Sequence, residues 1–238
     1  MVFKCDLTKN EWSCLPPHGH PVSYFALAKF AGNLITVGGR IRGGSTSKVY
    51  HFKEESQEWE EFLKPMPTAR FGLSVATTQS AIIASGGVTG VRNNMPVVCA
   101  TVEVYHSETS QWYTADPLPV SCYSMTSTII ADTHYLLGGS DANKQHIPTV
   151  LYTSLTSLVQ KVTSPTRQSA SMSVWKTLPD TPLLVSAATN MSGSLLAIGG
   201  YDSESMVNSL AIHVFLPFTN SWVRVTDGDL PEPRRCCT

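Results

Sequence analysis

The sequence predicts an all-β fold built from repeated four-stranded sheets. Two observations support this prediction: four pairs of adjacent glycines recur about every fifty residues, and a tryptophan follows each pair. The interval from a tryptophan to the next glycine pair is 24 to 27 residues, whereas the interval from a pair to its following tryptophan varies from 20 to 36. One half of the unit is therefore fixed in length and the other half accepts insertions. The repeated positions are Gly38 and Gly39, Gly86 and Gly87, Gly138 and Gly139, Gly199 and Gly200, and Trp12, Trp59, Trp112, Trp175 and Trp222.

Composition fits one large domain with a sizeable core, because 42% of the 238 residues are hydrophobic and only 15% are charged. The net charge of −1 argues against a nucleic-acid partner or a polybasic membrane binder. The first residues lack the apolar stretch of a signal peptide, and no run approaches the roughly 18 apolar residues of a membrane-spanning helix. We therefore expect a cytoplasmic protein with neither a nucleic-acid nor a membrane partner.

The repeat divides residues 1–238 into successive units of a single domain. Phe3 precedes Trp12 by nine residues, as Tyr50 precedes Trp59, so the first segment supplies only the third and fourth strands of a unit. We expect a partial unit at 1–17, full units at 18–66, 67–119, 120–180 and 181–231, and the start of another unit at 232–238.

The first full unit begins with the strands YFALAKFA and NLITVGG, which a turn at Gly32 and Asn33 connects. Leu34, Ile35 and Val37 do not alternate with polar residues, which predicts a strand that is buried on both faces. After Gly39, the segment RIRGGSTSK reads as a flexible loop. The second unit has a longer loop, VTGVRNNMPVVCA, at the same place.

The third unit carries an insertion at residues 153–174, between its third and fourth strands. This segment holds ten Ser or Thr residues and has no clean helical or strand period. We expect a surface excursion, because surface loops accept extra length at little cost. A regulatory phosphorylation loop is the alternative. The fourth unit is regular and turns at Ser192 and Gly193.

A four-stranded sheet cannot cover both of its faces alone, so the units are expected to stack around an axis as the blades of a propeller. The glycine pair ends the second strand where the backbone approaches a neighbour closely, and a Cβ atom is disfavoured there. The aromatic residue of the third strand and the tryptophan fill the wedge between blades. We therefore interpret the repeated glycines and tryptophans as scaffold.

The order of these features resembles the kelch repeat, in which an apolar strand ends in two glycines and is followed by an aromatic residue and a tryptophan. The matching elements are LITVGG with Tyr50 and Trp59, AIIASGG with Tyr105 and Trp112, HYLLGG with Tyr152 and Trp175, and SLLAIGG with Phe215 and Trp222. The resemblance covers nearly the whole chain and implies a kelch-type β-propeller of the galactose oxidase-like superfamily. Because six blades are usual in that family, four complete blades with partial blades at both ends predict an incomplete ring whose ends expose apolar blade faces.

Some propellers that this resemblance includes are copper oxidases, which need two tyrosines, two histidines and a tyrosine cross-linked to a cysteine. His51 and His106 follow equivalent tyrosines, so repetition explains them better than coordination does. His18 and His20 form an HxH pair without an evident third ligand. The six cysteines show no CxxC spacing and are interpreted as reduced thiols. We predict no catalytic residue, no metal and no cofactor, with a propeller oxidoreductase as the alternative.

The connection from the fourth to the first strand and the connection from the second to the third strand emerge at the same end of each blade. Arg, Ser, Tyr and Asn residues in these connections provide adaptable and bidentate contacts. The resemblance implies binding of a partner peptide or protein at this rim, with actin binding in some members. We expect a protein-interaction module whose partner is acidic or phosphorylated. The candidate contact residues are Ser23, Arg40, Arg42, Arg70, Arg92, Asn93, Asn94, Tyr123, Ser186, Tyr201, Arg234 and Arg235.

Overall fold

The computed structural model describes residues 2–163, 174–182, 184–202, 207–226 and 228–233. A half-blade at the start pairs β1 (Phe3–Asp6) with β2 (Glu11–Cys14). Blade 1 contains β3 (Ala26–Phe30), β4 (Asn33–Ile41), β5 (Gly44–Lys53) and β6 (Glu58–Leu63). Blade 2 contains β7 (Ser74–Thr77) and β8 (Ala81–Ser85), then the separate hairpin β9 (Val88–Arg92) and β10 (Met95–Val98), then β11 (Val102–His106) and β12 (Gln111–Thr114). Blade 3 contains β13 (Thr126–Ile130), β14 (Thr133–Leu137), β15 (Val150–Ser154), the helix α1 (Leu155–Thr163) and β16 (Lys176–Leu178). Blade 4 contains β17 (Leu184–Met191), β18 (Ser194–Asp202), β19 (Val207–Leu216) and β20 (Ser221–Arg224).

Each of the four full blades is an antiparallel meander in which consecutive blade strands pair. The first strands of the blades lie innermost and follow one another around the axis, with β3 beside β7, β7 beside β13, and β13 beside β17. The prediction of an all-β propeller with four complete blades and a preceding half-blade is therefore confirmed. The short helix α1 has nine residues, and the described part of the chain contains no helix long and apolar enough to cross a membrane.

The strand predictions for blade 1 are confirmed with one shift. Ile35 and Val37 are fully buried, and Thr36 between them is also buried, as expected for a strand that is covered on both faces. The turn between β3 and β4 lies at Ala31 and Gly32, one residue earlier than predicted, because Phe30 pairs with Asn33. In blade 4 the turn lies at Ser192 and Gly193, as predicted.

Three apolar clusters fill the spaces between neighbouring blades. Ile35 and Val37 of blade 1 pack with Ile82 of blade 2, and equivalent clusters join blade 2 to blade 3 and blade 3 to blade 4. Within blade 2, Ile82 belongs to one cluster and Ile83 to the next. Adjacent residues of one strand therefore hold two different neighbours.

The tryptophans connect each blade to the one before it, as predicted for residues that fill the wedge. In each full blade the indole N–H donates a hydrogen bond to a backbone carbonyl at the end of the preceding unit, as an indole N–H usually does when its ring is packed against other groups. The bonds are Trp59 Nε1 to Pro16 O at 3.0 Å, Trp112 Nε1 to Lys64 O at 2.8 Å, Trp175 Nε1 to Asp116 O at 3.3 Å and Trp222 Nε1 to Pro179 O at 3.0 Å.

The glycine pairs lie where two blades meet. A Cβ atom on Gly38 would lie 2.5 Å from the carbonyl oxygen of Arg70 in the next blade, and one on Gly86 would lie 2.5 Å from that of Cys122. Both glycines also have a positive φ, which L side chains rarely adopt. The predicted close backbone approach is therefore confirmed.

The expectation of a surface excursion at residues 153–174 is wrong for its first part. Residues 155–163 form α1, and Leu155 and Leu158 are 3% and 0% exposed in the cluster between blades 2 and 3. The carboxylate of Asp132 accepts hydrogen bonds from the hydroxyl of Ser154 and from the hydroxyl and N–H of Thr156, which together lower the pKa of Asp132. Lys161 pairs with Asp116 at 2.5 Å. Residues 164–173 lie outside the described residues.

Replacing a tryptophan by alanine should destabilise the protein only where the ring is packed between two blades. Trp175 is 5% exposed, whereas Trp12 in the half-blade is 70% exposed. We expect Trp175→Ala to lower the free energy of unfolding by roughly 3 to 5 kcal/mol, and Trp12→Ala to change it by about 0.5 kcal/mol or less. Denaturant unfolding of both variants measures this difference. Equal losses of unfolding free energy in the two variants would show that Trp175 does not stabilise the contact between blades.

A buried histidine should make stability depend on pH. His134 is fully buried, its two ring nitrogens lack hydrogen-bond partners in the described part of the chain, and burial lowers its pKa from 6.5 to about 4. Between these values the unfolded chain binds a proton that the folded chain does not, so stability is complete above about pH 6.5 and is lost as the pH falls towards 4. The loss is on the order of 2 kcal/mol at about pH 5.

The variant His134→Leu should show a shallower fall in stability between about pH 7.5 and 5 than the unchanged protein. Urea midpoints at several pH values give the two slopes. His18, whose pKa burial also lowers to about 4, should leave a residual slope in the same direction. Identical slopes with and without His134 would show that this residue does not couple protonation to folding.

Candidate partner-binding face

One end of the propeller gathers two sets of loops. Ser23 and Arg40 exchange two backbone hydrogen bonds, and the equivalent pairs Phe71 with Val88 and Tyr123 with Ser140 do the same. In each case the residue that precedes the first strand pairs with the residue that follows the glycine pair. The two kinds of connection therefore meet at the same end of blades 1, 2 and 3, as predicted. We call this end the loop face.

Two backbone hydrogen bonds link blades 1, 2 and 3 at the loop face. The N–H of Gly72 donates to the carbonyl of Tyr24 at 2.8 Å, and the N–H of Ser124 donates to the carbonyl of Gly72 at 2.7 Å. All three residues have a positive φ between 53° and 60°. This conformation costs a tyrosine on the order of 1 to 3 kcal/mol, and such residues concentrate at functional sites. Tyr24 is also 63% exposed.

Arg40 and Tyr24 both lie close to the ring of Phe71. The guanidinium carbon of Arg40 is 5.7 Å from the ring centre of Phe71, within the range of a cation–π contact. The ring of Tyr24 is 6.2 Å from the same ring at an angle of 50°. The sequence predicted Ser23 and Arg40 as contact residues but did not predict Tyr24 and Phe71. Their positions directly after Ser23 and Arg70 could have revealed them.

The two segments interpreted as loops after the glycine pairs are ordered hairpins, which corrects the sequence analysis. In blade 1 the strands β4 and β5 continue past Gly39 and turn at Arg42 and Gly43. In blade 2 the strands β9 and β10 turn at Asn93 and Asn94, whose positive φ values of 50° and 60° fit a tight hairpin. Arg92 therefore lies beside the tip of a hairpin rather than in a flexible loop.

Blades 3 and 4 contribute a smaller group of polar and aromatic side chains. Tyr123 is half-buried, and burial and then the nearby Asp141 raise the pKa of its hydroxyl. The ring of His146 lies 6.3 Å from that of Tyr201, which joins the loop of blade 3 to β18 of blade 4. Ser186 lies in β17, but its side chain is not described. Arg234 and Arg235 lie outside the described residues.

Arg70 is not an exposed contact residue, which corrects its selection as a member of the rim. Its side chain is 0% exposed and forms an ion pair with the buried Glu103 at 2.8 Å. The same guanidinium donates to the carbonyls of Gly86 at 2.9 Å and Thr101 at 2.7 Å. A charge in the interior needs partners, and the backbone carbonyls and carboxylate of blade 2 supply them.

The backbone of Arg70 forms hydrogen bonds with blade 1, the preceding blade. Its N–H donates to the carbonyl of Thr46 at 3.1 Å, and its carbonyl accepts from the N–H of Gly39 at 2.8 Å. The residue therefore bonds to blade 1 through its main chain and to blade 2 through its side chain. Its role is to fix the two blades together.

The histidines considered as ligands have structural contacts instead. His18 stacks on Trp59 with ring centres 4.7 Å apart, and its Nε2 lies 2.9 Å from the hydroxyl of Thr36. His51 stacks on Phe62. Within the described residues, no group of three or more His, Cys, Asp or Glu side chains could hold a metal ion. Cys5, Cys14, Cys99 and Cys122 are free thiols, while Cys236 and Cys237 lie outside the described residues.

A family model described as the kelch motif matches residues 69–119, which are the residues of blade 2 with the segment that enters it. The other full blades repeat the strand order, glycine pair and indole bond of this one. The chain is a kelch-repeat β-propeller. The solved structure titled "Structure of YjhT" has the same fold, with a TM-score of 0.72 over 94% of this chain and 76% of that one, at 15% identity.

Similar proteins share the repeat over parts of much longer chains. The Kelch-like protein terF of Aspergillus terreus is 34% identical over 47% of this chain and 25% of its own length. Beta-scruin of Limulus polyphemus is 27% identical over 59% of this chain and 16% of its own. Kelch-like protein 36 of Mus musculus is 24% identical over 98% of this chain. This kelch propeller spans 36% or less of the length of each of these three relatives.

Removing one member of the buried ion pair should destabilise the protein strongly. We expect Arg70→Ala to lower the free energy of unfolding by roughly 3 to 5 kcal/mol, because the carboxylate of Glu103 is left buried and unpaired. The double variant Arg70→Met, Glu103→Leu should recover most of this loss. Arg40→Ala, which removes an exposed arginine, is the matched control and should leave the unfolding midpoint nearly unchanged. If Arg70→Ala behaves as this control does, the ion pair does not hold the blades.

Proposed function

We propose that this kelch propeller is a protein-interaction module whose loop face binds a peptide or protein partner. The observation that supports the proposal best is the group formed by Arg40, Phe71 and Tyr24. It combines an exposed cation, an aromatic contact and a strained exposed tyrosine at the point where two blades meet. Arginine and tyrosine are the side chains that most often dominate binding at protein interfaces.

The charge of the loop face supports an acidic partner. Residues 38–47 and 86–101, which form the connections of blades 1 and 2, contain Arg40, Arg42 and Arg92 and no acidic residue. In the described part of the chain, none of these three arginines lies within salt-bridge distance of a carboxylate. A guanidinium matches the geometry of a carboxylate or phosphate group and forms charge-assisted hydrogen bonds with it. A peptide that carries carboxylates or a phosphate is therefore the proposed ligand.

The comparisons support this proposal at the level of the family. Kelch-like proteins and a scruin match this chain, and each is several times longer than the matched region. A propeller that forms one part of a longer protein is well suited to supply a binding surface. We extend the proposal to a scaffold or substrate-recognition role within such a protein, with actin as one possible class of partner.

The proposal is tested by removing charge from the loop face. The intact chain and the variant Arg40→Ala, Arg92→Ala are used to capture partners from cell extract, and the affinity for each captured partner is then measured. The control Lys9→Ala, Lys29→Ala removes the same charge near the opposite end, from the turn between β1 and β2 and from the end of β3. Each loop-face arginine should contribute roughly 1 to 3 kcal/mol, so the first variant should bind its partner at least about tenfold more weakly. If a captured partner binds the variant Arg40→Ala, Arg92→Ala as tightly as the intact chain, the loop face is not its binding site.

A further inference from the structure

The hairpin of β9 and β10 projects from blade 2 and exposes apolar side chains. It forms a two-stranded sheet of its own, separate from the four-stranded ladder of the blade. Val91 is 59% exposed, Met95 is 41% exposed and Val97 is 43% exposed. A cluster of large exposed apolar side chains on the surface of a protein often marks an interaction site. We call residues 88–98 the finger.

Both faces of the finger carry apolar groups. Val91 lies directly opposite Pro96, while Met95 lies opposite Arg92 and Val97 opposite Gly90. Directly opposed residues share a face, and successive residues alternate between faces. Val91 and Pro96 therefore lie on one face, and Met95, Val97 and Arg92 lie on the other. Packing against the blade cannot cover both faces at once, which explains why these side chains remain exposed.

The finger is held in place at its base and at the neighbouring residue Thr89. At the base, Val88 exchanges two backbone hydrogen bonds with Phe71. Along its length, the hydroxyl of Thr89 donates to the carbonyl of Val97 at 3.2 Å, and the hydroxyl of Ser45 in blade 1 donates to the carbonyl of Thr89 at 2.9 Å. A surface that is ordered before binding loses less conformational entropy when it binds.

The charge, the proline and the polar tip of the finger indicate which kind of partner it binds. Residues 86–101 contain one arginine, Arg92, and no acidic residue. Pro96 removes one backbone N–H from β10, and proline on an edge strand disfavours the addition of another strand. The tip consists of Arg92, Asn93 and Asn94, which are polar and costly to place in hydrocarbon. Side-chain contacts with a protein are therefore favoured over strand addition and over insertion into a membrane.

We propose that the finger docks an acidic amphipathic segment of the partner protein. Apolar side chains of the segment pack on Met95 and Val97 or on Val91, and its carboxylates pair with Arg92. The inference rests on the proposed function, since it names the chemistry of the partner and the part of the loop face that buries its apolar groups. Apolar contact supplies most of the affinity, and Arg92 orients the segment.

The test uses two synthetic peptides and the full chain. The first peptide has leucine and phenylalanine on one helical face and glutamate on the other, and the second replaces every apolar residue by glutamine. Fluorescence anisotropy measures binding to the intact chain, to Val91→Ser, Met95→Ser, and to the control Met191→Ser, Phe218→Ser. Met191, the last residue of β17, and Phe218, in the turn before β20, are 61% and 104% exposed at the opposite end, so the control removes similar apolar surface. Thermal unfolding verifies that both variants are folded.

The first peptide should bind the intact chain and the control equally, and the finger variant at least about tenfold more weakly. The second peptide should bind much more weakly than the first. Equal binding of the two peptides, equal losses in both variants, or no binding would overturn the inference. If the intact chain and the control bind phosphatidylserine vesicles and the finger variant does not, the inference is overturned, and the ligand of the finger is a membrane surface. If the first peptide fails while Arg40→Ala, Arg92→Ala still loses its captured partner, the inference fails and the proposed function stands.

Discussion

The close backbone contact at the glycine pairs of blades 1 and 2 is the constraint on which the rest of the structure depends. The N–H groups of Gly39 and Gly87 donate to the carbonyls of Arg70 and Cys122, the equivalent residues that enter the next blade, both at 2.8 Å. No side chain fits at Gly38 or Gly86, since a Cβ atom at either residue would meet the same carbonyl. This contact fixes how far apart successive inner strands lie. The indole bonds then fix the outer part of each blade against its predecessor.

The same constraint creates the loop face. Because the chain leaves the glycine pair beside the segment that enters the first strand, the two connections pair with one another, as Ser23 does with Arg40 and Phe71 with Val88. Residues on these connections are therefore presented by hydrogen-bonded backbone rather than by free loops. A propeller built in this way can vary the exposed tips, such as those at Arg42 and Asn93, without disturbing the contacts that hold the blades.

The sequence predicted the blades well because their signals are local and repeated. A glycine pair, an aromatic residue and a tryptophan at fixed spacing define a blade, and the strand order and buried second strand follow from them. The helix α1 was missed because its apolar residues Leu155 and Leu158 lie among many Ser and Thr residues, and its stability comes from packing between blades 2 and 3. The finger was missed because its turn, Asn93–Asn94, lacks the glycine that usually marks a tight hairpin.

The candidate site was predicted less well, because a spacing rule cannot separate an exposed arginine from a buried one. Arg40 and Arg70 both lie near the repeat positions, yet one lies over an aromatic ring at the surface and the other is paired with Glu103 in the interior. Glu103 is the only acidic residue in β11, and the other four residues of this strand are apolar or aromatic. A single acidic residue in an otherwise apolar strand was the available signal that a buried cation lies nearby.

The central claim is that the partner contacts the loop face rather than the opposite end or the outer edge. Hydrogen exchange of the intact chain, measured with and without a captured partner, tests it most directly. The account predicts slower exchange in residues 38–46, 86–101 and 140–147, with no change in the turns at 31–32, 107–110 and 192–193. Protection confined to those three turns, with unchanged exchange in the three loop-face segments, would contradict it.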